Sequence, residues 1–441
     1  AEFDEEWGGL RSRQKFPTPL RWQFVLHHYR KTGDERFARM VRRTLDQMGS
    51  GGIHDHVGGG FHRYTVEGTW LIPHFEKMLY VKAQIAALST EASTVVTSVR
   101  YAEIARDTLD FILRDMSGAE GGFYSSYDAD SGGEEGSFYI WSPEEITAVA
   151  GPTDGPPLAM LLGVTEEGNF EGKSIVTRRV DPADVASRFG RDEAEVALLV
   201  EKHREGLRSF RRKRTGPNLD RKIVTAWNGL AIAALAQGYA VFGEEKYLRA
   251  AKKSADYLWT THRRPDGALY RSSNQGKAEN AGIIDDYAFL ALGLMELYQA
   301  SADPDHLERG LKFIDHARAH FGDPRGGFYL TSKGQHTPLG RHVQINDAVR
   351  PSGNSAMLQA LIRAAALTGN TTYRDEAETA LSAFAEQMRT AKLGMAGWLD
   401  AAEKHLGPYY EVVIAGDPSD ARTTELREAF RALNPSHAVL I

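Results

Sequence analysis

The sequence predicts an all-α fold, an (α/α)6 barrel of six helical hairpins closed into a ring, followed by a small C-terminal α/β appendage. Three observations carry this expectation. One phrase returns five times along the chain, a more apolar helical segment precedes each return, and short turns of small residues join the two kinds of helix.

The phrase is an amphipathic helix opened by an aromatic residue, then a Gly-Gly or Asp-Gly turn, then an aromatic or aliphatic pair. It runs from Arg36-Phe37 to Gly52-Ile53, from Arg100-Tyr101 to Gly122-Phe123-Tyr124, from Lys246-Tyr247 to Gly267-Ala268-Leu269-Tyr270, from Leu307 to Gly327-Phe328-Tyr329, and from Thr372-Tyr373 to Gly397-Trp398-Leu399. The second glycines stand at 52, 122, 267, 327 and 397, so the spacings are 70, 145, 60 and 70. The spacing of 145 is close to two units and leaves room for one degenerate hairpin between Tyr139 and Arg214, which makes six units.

The preceding segments, Leu20 to Tyr29, Phe75 to Leu88, Trp227 to Phe242, Tyr287 to Ala300 and Asn354 to Thr368, carry few charges, whereas the phrase helices have one charged face. The apolar segments are expected inside, with Phe75, Trp227, Tyr287 and Asn354 beginning inner helices on one face of the ring. Lys31-Thr32-Gly33-Asp34 and Leu367-Thr368-Gly369-Asn370 join inner to outer helices. An open solenoid of the same hairpins competes; the ring is preferred because six is a closing number and no terminal hairpin carries a polar cap. The barrel is expected over 1–408, with an irregular insertion at about 141–214, and an incomplete βαβ appendage over 409–441.

Composition bounds the function. Among 441 residues, Lys+Arg 53 against Asp+Glu 59 gives −6 with no long run of either sign, which lacks the footprint of a dedicated nucleic-acid binder. With Cys at 0, disulfides, thiolate metal sites, iron–sulfur clusters and cysteine nucleophiles are excluded for these residues. The longest apolar stretch, Leu230 to Phe242, is interrupted by Gln237 and falls short of the ~20 residues that span a bilayer. Ala1 to Glu6 does not read as a signal peptide. A soluble, cytoplasmic protein without nucleic-acid or membrane partners is expected.

In a ring of like-oriented hairpins, the loops from outer to inner helices share one face, and the chemically rich text lies there. His62, His74, Glu76, Asp128, Asp130 and Asp286 are the candidate catalytic residues: imidazoles for proton transfer, carboxylates to orient them or to hold hydroxyls. Trp70, Trp227, Asn228, Tyr287, Arg350 and Asn354 are the candidate substrate-binding residues, the indoles suited to the apolar face of a sugar ring. Asn228 and Asn354, polar on apolar helices, require either a backbone partner or a ligand. His62, His74, Glu76, Asp128, Asp130, Trp227 and Asp286 are expected in one pocket. Thr225, Asp285 and Ser352 stand where helix N-caps would. Asp128, Asp130, Glu134 and Glu135 lack the spacing of a full calcium loop, and His54 with His56 has no third ligand in view, so no metal and no cofactor is expected.

Several of these strings resemble a known family. Gly58-Gly59-Gly60-Phe61-His62-Arg63-Tyr64, Trp70, Pro73-His74-Phe75-Glu76-Lys77-Met78-Leu79-Tyr80, Asp128-Ala129-Asp130-Ser131, Thr225-Ala226-Trp227-Asn228-Gly229-Leu230 and Pro351-Ser352-Gly353-Asn354-Ser355 are similar to those of the thioredoxin-domain-containing proteins that include spermatogenesis-associated protein 20. The resemblance implies a thioredoxin-like domain, missing from these residues, and a six-hairpin barrel similar to N-acylglucosamine 2-epimerases and glycosidases. His54 and His56 stand where Tyr and Gln are expected, and the catalytic histidine pair of the epimerases has no aligned counterpart.

Three functions follow as expectations. The first is a sugar isomerase or epimerase with His62 and His74 as acid and base. The second is an inverting glycosidase pairing Asp128 or Asp130 with Asp286 or Glu76 at ~6.5–9.5 Å. The third is a non-catalytic glycan- or protein-binding module. The expected partner is a small sugar or glycan, with a thioredoxin-like domain as a further one.

Overall fold

The computed structural model describes residues 2–338, 340–417 and 420–441. Helices run in the order α1 (Pro19–Thr32), α2 (Glu35–Ser50), α3 (Leu79–Val95), α4 (Val99–Asp115), α5 (Pro143–Leu161), α6 (Pro182–Phe189), α7 (Glu193–Ala197), α8 (Leu199–Arg211), α9 (Thr225–Phe242), α10 (Glu245–Tyr257), α11 (Ile284–Ser301), α12 (Pro304–Phe321), α13 (Gly353–Thr368), α14 (Thr371–Ala383), α15 (Ala385–Ala391), α16 (Ala396–Leu406) and α17 (Ala421–Leu433). The chain divides into two compact units. One takes the residues up to Pro17, Arg39–Val81 and Ser126–Asp220; the other takes Thr18–Ala38, Lys82–Ser125 and Arg221–Ile441.

The second unit holds the ring. Helices α1, α3, α9, α11, α13 and α16 surround one cavity, and α9 packs on α11, α11 on α13, α13 on α16 and α16 on α1. The contact between α16 and α1 closes the circle, which overturns the open solenoid. Helices α10, α12 and α14 pack behind α9, α11 and α13. The small-residue turns are C-caps: Gly33, Gly243 and Gly369 take left-handed φ of 68°, 70° and 68°, each donating its N–H to a carbonyl of the preceding turn.

The sixth inner helix is α16, not the hairpin expected between Tyr139 and Arg214. The fifth repeat of the phrase ends differently from the others, because Gly397 sits inside α16 and donates its N–H to the Asp347 carboxylate at 2.8 Å. Residues 409–441 form two short parallel strands, Tyr410–Val412 and Ala438–Leu440, joined through α17. Ring side chains grip this segment by its backbone: Arg30 donates to the Leu433 and Asn434 carbonyls at 2.6 Å each, and Gln299 exchanges two hydrogen bonds with Leu440 at 2.7 and 2.9 Å.

The first unit is built differently. Its helices α5 to α8 enclose Val57, Trp141, Ile146, Leu158, Leu162, Val185, Val196 and Leu207 in a core of their own. Helix α5 is bent at Gly151, φ 78°, ahead of three prolines. Short strands pair Tyr64–Thr65 with Pro73–His74, and Ser126–Tyr127 with both Lys77–Met78 and Leu219–Asp220. Phe75 therefore lies in extended chain and packs on Tyr139, Ile140 and Ile175; α3 begins only at Leu79. At the centre, buried Asp55 accepts from Lys77 at 2.6 Å and Arg211 at 2.8 Å, and both cations lie against the Tyr139 ring. Among the described residues, no helix is long and apolar enough to cross a membrane.

Helices α9 and α11 approach through glycines. A Cβ on Gly293 would lie 2.4 Å from the Gly229 carbonyl oxygen, and one on Gly229 would lie 2.5 Å from the Phe289 backbone carbon. Backbone cannot yield as a side chain can, so Gly293→Ala must spread the two helices. A loss of ~1–3 kcal/mol in denaturant unfolding is expected, and an unchanged midpoint would show that the crossing tolerates a methyl group.

Candidate functional site

Among the sequence candidates of the first unit, His62 and His74 occupy neighbouring extended segments but face different surroundings. His62 is 2% exposed, its Nδ1 donates to the Phe75 carbonyl at 2.8 Å, and its ring meets Phe75 and Tyr139 edge-on. His74 is part-exposed and stacks on Tyr64; its Nδ1 lies 2.8 Å from Glu135 and its Nε2 3.8 Å from Glu76. The two imidazoles have different neighbours, His62 lying against Phe75 and Tyr139 and His74 against Tyr64 and Glu135. Glu76, expected on the first turn of a helix, lies in extended chain and accepts from Arg63 at 3.0 Å. Asp128 and Asp130 are exposed, Asp128 taking a hydrogen bond from Asn218 at 3.2 Å and Asp130 standing opposite Glu135 in a tight hairpin. Trp70 is buried and donates Nε1–H to the Trp7 carbonyl at 2.8 Å, which makes it core. His54 and His56 are buried and in contact, His56 donating Nε2–H to the Gly51 carbonyl at 2.9 Å, and burial holds the His56 pKa well below its usual value.

The polar candidates of the second unit bind backbone. Asn228 accepts from the Phe123 N–H at 2.7 Å and donates to the Phe123 and Val224 carbonyls at 3.0 Å each. Asn354 does the same one repeat later, accepting from Phe328 N–H at 2.7 Å and donating to the Phe328 and Gln344 carbonyls at 2.9 Å each. Between them the Tyr287 hydroxyl accepts from the Leu269 N–H at 2.8 Å. Each side chain latches the residue that follows a glycine turn, so the repeat phrase and the inner-helix polar residue are two halves of one device. Asp286 accepts from Ala226 N–H at 3.0 Å and from Ile283 N–H at 2.9 Å, serving the N-termini of α9 and α11, and burial pushes its pKa up to about 7. Arg350 pairs with Asp285, and Trp227 is half-buried. None of these six residues lines the cavity.

The cavity itself has a volume of ≈ 200 Å³. Ala83, Ala87, Gly229, Ala233, Ala236 and Ala356 form its small apolar wall, and Arg431, Asn434 and Ser436 reach it from the appendage. Its polar part is a belt to which all six inner helices contribute. His27 of α1 donates Nδ1–H to Asp400 of α16 at 2.6 Å and lies against Glu91 of α3 at 2.8 and 3.0 Å. Lys404, one turn beyond Asp400, donates to it at 2.7 Å and approaches Gln359 of α13 at 3.5 Å. Arg363 of α13 pairs with Glu296 of α11, which Gln237 of α9 approaches at 3.5 Å. Glu91, Gln237 and Glu296 each stand at the thirteenth residue of their helices, so parallel inner helices bring them to one level. The sequence candidates omitted these residues; the available signal was a lone polar side chain at a common depth on otherwise apolar helices. Among the described residues, no three His, Cys, Asp or Glu side chains are placed to hold a metal.

Burial by itself would lower the His27 pKa, but the Glu91 and Asp400 carboxylates outweigh it and raise the value to about 9, while Asp400 is held well below the usual carboxylate range. His27 is thus an imidazolium at neutral pH, bonded at both nitrogens. A folded pKa above the unfolded ~6.5 adds stability that is complete below that pH and is lost as pH rises through about 9. The wild type should therefore exceed His27→Gln by an amount on the order of 3 kcal/mol near pH 6, and the gap should shrink by pH 10. A difference independent of pH, measured by denaturant unfolding, would show that His27 is neutral in the fold.

Comparisons with known proteins agree with this architecture. Spermatogenesis-associated protein 20 of Mus musculus and of Homo sapiens are each 33% identical over 481 aligned positions, which cover 100% of this chain and 61% of theirs. An uncharacterized protein of Caenorhabditis elegans is 28% identical over 469 positions, covering 97% of this chain and 63% of its own. The chain thus spans about three fifths of the length of the curated relatives it matches. No family model matches it. Among solved structures, cellobiose 2-epimerase from Spirochaeta thermophila superposes with a TM-score of 0.53 at 14% identity, covering 94% of this chain and 83% of that one. D-mannose isomerase gives 0.53 at 11%, covering 87% and 79%, and a GH76 α-mannanase of Bacteroides thetaiotaomicron gives 0.51 at 11%, covering 89% and 87%. At these identities the likeness is one of fold: the chain has the six-hairpin α/α barrel of sugar epimerases and glycosidases, and it is similar in sequence to spermatogenesis-associated protein 20.

Proposed function

We propose that the protein is a carbohydrate-binding barrel whose ring cavity takes a small sugar. One observation carries the reading: a small-walled cavity ringed at one level by amides and paired charges from all six inner helices. Amides and carboxylates with their backbones fixed on helices suit hydroxyl-rich ligands, and small apolar wall residues leave room for a ring. A volume of ≈ 200 Å³ is below the ~300–1,000 Å³ of drug-sized sites, so the ligand has one or two rings. The fold is that of the solved sugar enzymes, which supports the class of ligand and not a reaction.

Two-histidine isomerisation finds no support, since His62 is enclosed by aromatic rings and bonded to backbone while His74 faces outward. Paired-carboxylate hydrolysis loses Asp286, whose two oxygens serve helix N-termini. A second reading, isomerisation or epimerisation with His74 alone as acid and base, is favoured by its position between Glu135 and Glu76 on part-exposed chain.

Ala233 faces the cavity, so Ala233→Phe would fill it from a wall already built for van der Waals contact. Saturation-transfer NMR with D-mannose, D-glucose and cellobiose should report binding to the wild type and none to Ala233→Phe, with a melting temperature changed by only a few degrees. Equal transfer in both proteins would move the sugar out of the ring. For the second reading, wild type incubated with an aldose in D2O should place deuterium at C2 and His74→Ala should not; absence of exchange in the wild type would dismiss isomerisation.

A further inference from the structure

We propose that the sugar taken by the ring carries an acidic group, a carboxylate or a phosphate, that pairs with Arg431 of α17. The inference rests on the sugar-binding reading and narrows its ligand. Four cationic side chains line the cavity, His27, Arg363, Lys404 and Arg431, against three carboxylates, Glu91, Glu296 and Asp400. Three of the cations are matched: His27 lies against Glu91 and Asp400, Lys404 against Asp400, and Arg363 against Glu296. Among the described residues, no carboxylate forms an ion pair with Arg431. Arg30, 3.7 Å from Glu91, adds a further positive charge beside the cavity.

Burial acts on all four cations and lowers their pKa values. At His27, Lys404 and Arg363 the facing carboxylates outweigh it and raise the pKa. At Arg431 burial prevails: Arg427 on the same helix adds to it, Tyr239 and Glu428 oppose it without outweighing it, and the pKa falls. A desolvated cation lacking a counter-charge is stabilised when an anion arrives. The guanidinium is also held ready for one, because its Nε–H goes to the Gln299 carbonyl at 3.2 Å and it stands 6.0 Å from the Tyr239 ring. Its two Nη groups remain for a ligand, and a pair of parallel hydrogen bonds from them fits either oxyanion. Asn434 and Ser436, a few residues on, line the same cavity with groups that suit sugar hydroxyls. A neutral sugar leaves Arg431 without its counter-charge, and an ammonium sugar adds to the excess.

Calorimetric titration separates the cases, using D-glucuronate and D-glucose 6-phosphate as the acidic probes, D-glucose and D-glucosamine as the neutral and cationic ones, and inorganic phosphate as the bare anion. One of the two acidic sugars should bind at least ~10-fold more tightly than every other class of probe, and which of them does so tells carboxylate from phosphate. Arg431→Gln should weaken that sugar ~10- to 100-fold, the loss of a charge-assisted hydrogen bond, and leave D-glucose unchanged; Arg431→Lys, which keeps the charge, should lose less. Binding of D-glucose or D-glucosamine as tight as that of the acidic sugars, binding of inorganic phosphate as tight as either, or unchanged acid affinity in Arg431→Gln would overturn the inference while leaving a sugar-binding ring. Loss of acidic and neutral sugars alike in both variants would make Arg431 a support of the appendage and overturn it too. Failure of every sugar to bind the wild type would overturn both readings.

Discussion

An imidazolium bonded at both nitrogens, His27 between Asp400 and Glu91, is the constraint on which the ring depends. It joins α1 to α16 on one side and to α3 on the other, helices far apart in sequence. A ring of six helices encloses space along its axis that side chains must fill or line. Apolar filling would give a solid core; here alanines and Gly229 help to keep the space open, and charged side chains line part of it. Buried charges are costly unless paired, so the pairs of the belt must form together. Lys404 on Asp400 and Arg363 on Glu296 extend the same logic round the circle. The appendage belongs to this arrangement, because Arg30, 3.7 Å from Glu91, also grips the Leu433 and Asn434 carbonyls.

Outside the cavity, the ring is assembled by repetition of one contact. A glycine turn follows α4, α10 and α12 and leaves a residue after it with an N–H and a carbonyl to satisfy. An asparagine on the following inner helix answers both groups at Phe123 and Phe328, and a tyrosine answers the N–H at Leu269. Polar residues at inner-helix N-termini therefore mark architecture. The same holds for Asp286, whose oxygens join two helix starts, and for Asp347, which accepts from Ser352, Ser355 and Gly397.

This explains what could be read from the residues alone. The recurring Gly-Gly-aromatic phrase and the alternation of apolar and amphipathic helices revealed the repeat because both are local signals. Asn228 and Asn354 were legible as polar groups needing a partner, and the partner is backbone. Phe75 escaped because a string of apolar and charged residues at Phe75–Met78 fits a helix start as well as extended chain, and only pairing with Tyr127 and Ser126 decides it. The belt was illegible for a different reason. His27, Glu91, Gln237, Glu296, Arg363 and Asp400 come from six different inner helices far apart in sequence, and they acquire meaning only when the ring brings them round one cavity. The aspartates and histidines of the loops drew attention because they cluster in sequence, yet clustering in sequence says little about a site built across six helices.

The central claim is that the ring is organised by a charged His27, and selective 15N labelling of histidine tests it directly. Resonances assigned through His27→Gln should show both imidazole nitrogens of His27 protonated at pH 7.5, with the proton lost only as pH approaches about 9. A neutral ring at pH 7.5, titrating near the ordinary histidine value, would contradict the account: the carboxylates of Glu91 and Asp400 would then need other partners, and the belt would not hold the ring.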